Sequence, residues 1–484
     1  MGKKITKILS KINKTDIYGN LFHAKNYFSA ELAVKAIGFV SIPIFTRLLS
    51  QEDYGIVSVF NAYAGIFVAI LSLNSFTAIS RYYYEKTDDF YEFIGSTFVF
   101  LGLILSFTIS IYVIFLNKVN IIMNIPWPLP ILLIFTCLFS IIYGIYMQIL
   151  YPQKKSKEAA IISIVYGYSI FILSITITFL LKENRYLGKI LAIYPIGLFL
   201  LVYILFKIHK DVKFSFNLNH IKYIVIYAFP LIPYSLSELI LGQVDRIMIN
   251  NIINQSAAGL YSLGYTVGML LLLVIGATQA SFYPEYYSFL EKKEYKRLDN
   301  LLKKIFSIIV LAAMGLILFG KEILIFLADP KFYDSSKVIP IVVVGYVFYA
   351  MFLFYSMYVG YTKKTIFLAI PTLIAGMSNI AMNMVFIPKF GYIAAAYTTI
   401  VSYIIMFFLV WITVKYILKQ RVTPLSYVFI PTCFMFAFIG IYVLLNQLYL
   451  NLFLIIFLKI LILIIMTFFL FFKELKIFMK LSSN

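Results

Sequence analysis

Charge is what this sequence has least of: 13% of its 484 residues are Asp, Glu, Lys or Arg, against 62% hydrophobic. A soluble chain of that length needs far more polar surface to cover its core, and a mean hydropathy of +0.92 points to lipid as the solvent. Cysteine is nearly absent too. Cys137 and Cys433 each fall inside an apolar run, so no disulfide framework is implied, and no CxxC or Cys/His spacing suggests a metal site. Residues 1–20 lack a continuous apolar core and no small-residue cleavage site follows, which argues against a cleavable signal peptide. No Walker motif occurs, and no large loop could house a nucleotide-binding domain or catalytic carboxylates. The expectation is therefore a protein that is not an enzyme, with no catalytic residues, cofactor, metal or nucleotide.

Acidic residues are scarce relative to basic ones, 21 against 41, for a net charge of +20. That excess does not imply nucleic acid, because the basic residues sit between apolar runs rather than on one soluble domain. Distributed so, they act as topology signals and contacts to anionic membrane lipid. Ile5, Ile8, Leu9 and Ile12 interleave with Lys3, Lys4, Lys7, Lys11 and Lys14. Residues 1–20 thus read as a basic amphipathic helix on the cytoplasmic leaflet, or as a plain basic tail.

What the sequence has in abundance is apolar runs. Fourteen of them, from 22–48 to 452–472, are bounded by charged or Gly/Pro-containing breaks. Each approaches the roughly 20 residues that a helix needs to cross a bilayer. The run at 190–207 is short, and the one at 305–327 holds Lys321 and Glu322 near its end, so thirteen spans is the alternative. With the N-terminus in the cytoplasm, about 28 Lys and Arg fall on the cytoplasmic side, about 10 outside and about 3 within helices. That orientation, with an even number of spans, places both termini inside.

An internal repeat organises the runs. Aligning Gly55 with Gly259 pairs Asp-Tyr-Gly-Ile-Val-Ser with Ala-Ala-Gly-Leu-Tyr-Ser at the heads of the second and eighth helices. Tyr82 and Tyr83 then fall on Tyr286 and Tyr287, Lys154-Lys155 near Lys363-Lys364, and Gly188 near Gly391. Six helices separate the copies, so the halves have parallel topology. The expected division is a tail at 1–20, an N-lobe at 21–210 (six spans), a C-lobe at 211–418 (six spans), and two additional spans at 419–484. The fold class is an all-α polytopic membrane protein.

Four stretches carry a resemblance. They are Thr46-Arg47-Leu48-Leu49-Ser50-Gln51-Glu52-Asp53-Tyr54-Gly55; Pro230-Leu231-Ile232-Pro233 followed by Asp245-Arg246-Ile247-Met248-Ile249; Ala258-Gly259-Leu260-Tyr261-Ser262; and Pro388-Lys389-Phe390-Gly391-Tyr392-Ile393-Ala394-Ala395-Ala396. The first also has a mechanical reading, in which Ser50 caps the second helix and Asp53 completes a capping box. In order and separation the set resembles the polysaccharide transporter family, the Wzx-type flippases of the MOP superfamily, along most of the chain. The resemblance implies a MATE-like fold of two six-helix lobes. It also implies an undecaprenyl-diphosphate-linked oligosaccharide as cargo for O-antigen (lipopolysaccharide), capsule or exopolysaccharide synthesis at the bacterial inner membrane. A polysaccharide polymerase and chain-length machinery would be downstream partners. The rival readings are a MATE-type cation-coupled drug antiporter, a lipid II flippase of the same superfamily and a membrane glycosyltransferase.

Ionisable groups inside spans are costly and so mark candidate sites. Glu31 and Lys35, four apart in the first helix, either form a static pair or set Lys35 to meet a diphosphate with Glu31 exchanging a proton. Lys25 lines the same wall or snorkels to the interface. Asn74, Thr77 and Arg81 share a face of the second helix, with Arg81 as a phosphate contact or an interfacial anchor. In the seventh helix Glu238, Gly242 and Asp245 share a face, with Pro230 and Pro233 bending its start. Glu238 and Asp245 are ion-coupling candidates together with Glu31, although Asp245-Arg246 also read as a structural pair. Asn379 and Asn383 either hydrogen-bond sugar hydroxyls or bridge helices. Lys459 reads as an interfacial anchor, Tyr82, Tyr83 and Tyr84 as a membrane belt, and the histidines as unpaired.

Overall fold

The computed structural model describes residues 14–86, 88–364, 366–446 and 451–482. Among them the regular structure is helical, and fourteen helices are long and apolar enough to cross a membrane. The sixth, Tyr186–Ile208, reaches full length because a short turn, Tyr186–Leu191, precedes the apolar run, and the thirteen-span alternative falls. Of the expected amphipathic tail, residues 1–13 lie outside the described residues. From Lys14 the chain is helical and runs unbroken into the first span.

Contacts divide the chain into two compact units, Met1–Leu236 and Ser237–Asn484, with the division inside the seventh span. The N-terminal unit holds the first six spans: Ser29–Leu48, Gln51–Leu71, Phe90–Ile114, Leu129–Leu150, Ser156–Leu180 and Tyr186–Ile208. The seventh, Leu218–Ile252, contributes its first part here, where it packs on the segment Ser75–Glu85 and on the third span. In the C-terminal unit the eighth to twelfth spans are Gln255–Glu291, Tyr295–Leu327, Ile339–Tyr361, Ile366–Phe390 and Ile393–Ile417. The thirteenth and fourteenth, Ser426–Leu444 and Phe453–Phe472, pack on the ninth. Large apolar side chains such as Phe107, Phe179 and Phe326 stand exposed, as lipid solvation of a helix surface permits.

The helix heads follow local rules. Ser50 Oγ accepts from the Asp53 amide at 3.0 Å, and the Asp53 carboxylate accepts from the Ser50 amide at 3.1 Å. This is the capping box expected from the sequence, and it satisfies two of the donors a helix start leaves orphaned. At the head of the eighth span Asn254 accepts from the Ala257 amide at 2.8 Å. Ser50 and Asn254 are 204 positions apart (254 − 50 = 204), the offset that aligns Gly55 with Gly259 (259 − 55 = 204).

Two spans depart from the sequence expectation. The second ends at Leu71, and Leu73 and Asn74 adopt left-handed backbone (φ 48° and 55°) before a new helix, Ser75–Glu85. Asn74 therefore sits at a break and does not continue one helical face toward Arg81. In the seventh, a 3-10 turn at Phe229–Leu231 surrounds Pro230, and a π-turn, Ile240–Val244, precedes Asp245. The proline ring removes a helical donor and clashes with the preceding turn. The π-turn shifts register by one residue. Glu238 is exposed and Asp245 buried, so the two do not share a face.

Candidate functional site

In the N-terminal unit the first and fifth spans pack side by side and open a cavity of about 630 Å³. Glu31 and Lys35 project into it, joined at 2.7 Å, with Tyr143, Tyr151 and Ser163 on the opposing walls. Tyr143 and Ser163 hydrogen-bond each other at 3.0 Å. Glu31 and Lys35 are both more than half exposed, so the pair is screened and contributes well under 1 kcal/mol. It is free to open toward a stronger anion. The Lys25 side chain lies outside the described residues.

Past the end of the second span, the segment Ser75–Glu85 carries a polar cluster. Arg81 pairs with Glu85 at 2.5 Å and covers the Tyr227 ring at 4.5 Å, and Tyr223 donates to Glu85 at 2.8 Å. The Arg81 hydrogen bond holds the Glu85 carboxyl below its ordinary range. Arg81 is thus a partnered residue, not a lone cation at a helix end. Tyr82 is buried and stacks on Phe93 with centroids 3.8 Å apart, so it belongs to the core and not to a membrane belt. Its hydroxyl donates to Asp89 at 2.8 Å. His220 bridges Asp89 (Nε2, 3.1 Å) and Ser96 (Nδ1, 3.1 Å), and since Asp89 only accepts, Nε2 carries the proton. Burial pushes the Asp89 carboxyl up, but the bonds from Tyr82 and His220 outweigh it and hold it below the usual range.

The C-terminal unit holds a sealed polar core. Asp245, 1% exposed, accepts from Tyr261 (2.5 Å), Asn383 (2.7 Å) and Thr399 (2.8 Å). Asn383 also donates to Asn379 at 3.1 Å and accepts from Thr398 at 2.5 Å, and Asn379 donates to Thr399 at 3.3 Å. Three of the expected site residues, Asp245, Asn379 and Asn383, are brought together by the seventh, eleventh and twelfth spans, with Tyr261 added from the eighth. Arg246 does not pair with its neighbour: it lies 4.7 Å above the Tyr265 ring and donates to the Gly242 carbonyl. A buried carboxylate ringed by hydroxyl and amide groups can trade a proton, or hold a hard cation through its oxygens. Among the described residues no cluster of three His, Cys or carboxylate side chains suits a metal ion. Glu238 lies within electrostatic reach of Tyr349.

Two lysines were misread or missed in the sequence. Lys459 is no interfacial anchor: it is 2% exposed and bonded at 2.5 Å to Glu322 of the ninth span. Lys189, at the head of the sixth span, lines a second pocket of the N-terminal unit. Its place before an apolar run made it look like an ordinary boundary charge.

A family model described as polysaccharide biosynthesis protein matches residues 26–290, more than half of the chain. The chain belongs to that family. A protein of the Lsg locus of Haemophilus influenzae is 23% identical over 328 residues, covering 64% of this chain and 77% of that one. An uncharacterized membrane protein of the same organism is 22% identical over 361 residues, covering 71% and 85%. Among solved structures, the lipid II flippase MurJ in an inward closed conformation superposes with a TM-score of 0.70 at 18% identity, covering 93% of this chain and 99% of its own. An inward-facing MATE family multidrug transporter of the MOP superfamily gives 0.62 at 15% identity, covering 79% and 95%. The chain therefore shares the fold of these two structures, and the family resemblance seen in the sequence is borne out. The solved structures that it resembles are those of a flippase and a transporter.

Proposed function

We propose that the protein is a flippase that moves a polyprenyl-diphosphate-linked oligosaccharide repeat unit across the bacterial inner membrane, for O-antigen, capsule or exopolysaccharide synthesis. Membership of the polysaccharide biosynthesis family carries this reading. The Lys35-bearing cavity supports it, because a weakly paired lysine inside a span suits an anionic head group better than the cationic drugs of an antiporter. Both termini lie in the cytoplasm. The diphosphate enters near Lys25 and Lys35, the prenyl tail stays in lipid, and alternating access presents the sugars outside. Asp245, in its shell of Asn379, Asn383, Thr399 and Tyr261, is the coupling group best placed to exchange a cation or proton. Glu31 and Glu238 are secondary candidates for that role. The Asn379 and Asn383 amides are spent on this shell, so their part is to hold Asp245 and not to bind sugar.

The test is deletion in the native host followed by mass spectrometry of its lipid-linked oligosaccharides. Loss of surface polymer with a diphosphate-linked repeat unit retained inside is the expected result. Unchanged glycans with raised sensitivity to cationic drugs would replace the reading with the antiporter, and accumulation of lipid II with loss of viability would replace it with the peptidoglycan-precursor flippase.

A further inference from the structure

The first and fifth spans bear two cavities in succession. Ala30, Glu31, Val34 and Lys35 face the first cavity, and Ile37, Ser41 and Phe45 face a second of about 220 Å³. The fifth span repeats the order, with Ala159, Ala160 and Ser163 facing the first, then Gly167, Ile170 and Ser174 facing the second. At 1.5 Å per residue the step from Lys35 to Phe45 is about 15 Å along the helix axis. The second pocket therefore lies toward the end of the unit where the first and second spans, and the fifth and sixth, are joined.

Lys189 lines that pocket. Its turn is pressed onto the fifth span at Gly188, where an added Cβ would lie 2.4 Å from the Thr178 backbone nitrogen. So held, the side chain reaches back over the rings of Phe45 (4.3 Å) and Tyr54 (5.4 Å). Among the described residues no hydrogen bond or ion pair is made by its ammonium, and no carboxylate lines the pocket. Asp53, close by in sequence to Tyr54, is committed to Ser50. The Asn61 amide of the second span also lines the pocket, with no hydrogen bond among the described residues. Ser41 and Ser174 turn their protons to carbonyls of their own helices, Gly38 and Phe171. Among its lining residues the pocket thus offers two unused donor groups, one of them the positive ammonium, and nothing negative. An ammonium inside a span without a counter-charge is costly, and contact with two rings offsets only about 1–2 kcal/mol of that. What completes the site is an anion, and the ammonium and amide together suit the oxygens of a phosphoryl group.

We propose that Lys189 and Asn61 form a phosphoryl-anion subsite in this pocket, a second station on the path begun at Lys35. Assigning its phosphoryl group to the diphosphate of the cargo rests on the flippase reading; the anion site itself does not.

The experiment titrates inorganic pyrophosphate, by calorimetry, into the full-length protein in phosphatidylcholine nanodiscs, and again in nanodiscs containing phosphatidylglycerol. The wild type binds. Lys189→Met weakens binding by about tenfold or more, the loss of one charge-assisted contact, and Lys189→Arg retains it. Weaker apparent binding with phosphatidylglycerol present supports the subsite and names a bilayer head group as an occupant. Equal binding in both supports it with the cargo diphosphate as the occupant. Unchanged affinity in a Lys189→Met protein that unfolds at the wild-type temperature overturns the subsite. Should that variant fold poorly, Asn61→Leu carries the test, and unchanged affinity there overturns it equally. If the host deletion leaves glycans untouched while pyrophosphate binding still depends on Lys189, the flippase reading falls and the subsite stands. The reverse pattern removes the subsite and leaves the flippase.

Discussion

The repeat makes the first, second, fifth and sixth spans counterparts of the seventh, eighth, eleventh and twelfth, and the interiors of these two sets differ in sign and in completeness. In the N-terminal set Lys189 stands over aromatic rings in an open pocket, with no acceptor of its own among the described residues. In the C-terminal set Asp245 is sealed among Tyr261, Asn383 and Thr399. The offset places Asp245 on Ser41 (245 − 204 = 41), a residue of the Lys189 pocket wall. One frame therefore serves two chemistries. A charge whose hydrogen bonds all come from the protein is buried for good, and acts by what it trades through its shell. A charge left without partners is built to be met from outside.

The largest effect that sharpens this contrast is expected at Asp245. Asp245→Leu takes an acceptor from three buried donors; Asn383 and Thr399 keep Asn379 and the Ala395 carbonyl, but the Tyr261 hydroxyl is left with none among the described residues, at about 1–3 kcal/mol for that group. Thermal unfolding followed by size-exclusion fluorescence should show a clearly lowered unfolding temperature, with glycan export lost. Asp245→Asn keeps one acceptor oxygen and should fold while still failing to export. A wild-type melting curve for Asp245→Leu would mean that the network does not hold the unit together.

A smaller and more pointed effect separates two lysines. Lys459 has an ionic partner, and among the described residues Lys189 has only aromatic rings. Lys459→Met strands Glu322, and breaking a fully buried pair costs about 3–5 kcal/mol. Glu322 is one-third exposed, so about 2 kcal/mol is expected, seen as a lowered unfolding temperature. Lys189→Met strands nothing and should leave that temperature unchanged or slightly raised. If both lysines behave alike, the contrast between completed and open charges is lost.

How much of this was legible in the sequence depended on the range of the interaction. The spans followed from apolar runs, and the Ser50–Asp53 box from a spacing of three. Arg81–Glu85 was readable at i,i+4, but Glu85 lies past the end of the apolar run that marked the helix. The bridge from Asp89 through His220 to Ser96 joins positions more than 120 residues apart, and Lys459–Glu322 joins positions 137 apart. No local pattern announces either. The break at Leu73–Asn74 and the π-turn before Asp245 are backbone states that hydrophobic periodicity does not encode, so faces drawn across them were wrong. Gly188 and Gly391, aligned by the repeat, are needed for different reasons: the first for close approach to Thr178, the second for a positive φ of 75°. The sequence match marked the positions without revealing that difference.

The smallest expected effect tests the repeat itself. Ser50 and Asn254 perform the same capping task at corresponding helix heads, but only Ser50 has a reciprocal partner, because Ala257 stands where the N-terminal unit has Asp53. Replacing either cap by alanine should cost about 1 kcal/mol. Ser50→Ala should cost somewhat more, since it also removes the hydroxyl that donates to Asp53 at 2.8 Å. Asp53→Ala should recover most of that difference and bring the N-terminal cap to the level of the Asn254 one. The check is a pair of melting curves for each variant, with export unaffected in all three. A cost at Asn254 well above that at Ser50 would mean that the eighth span depends on its cap in a way the second does not, and the two heads would no longer count as equivalent.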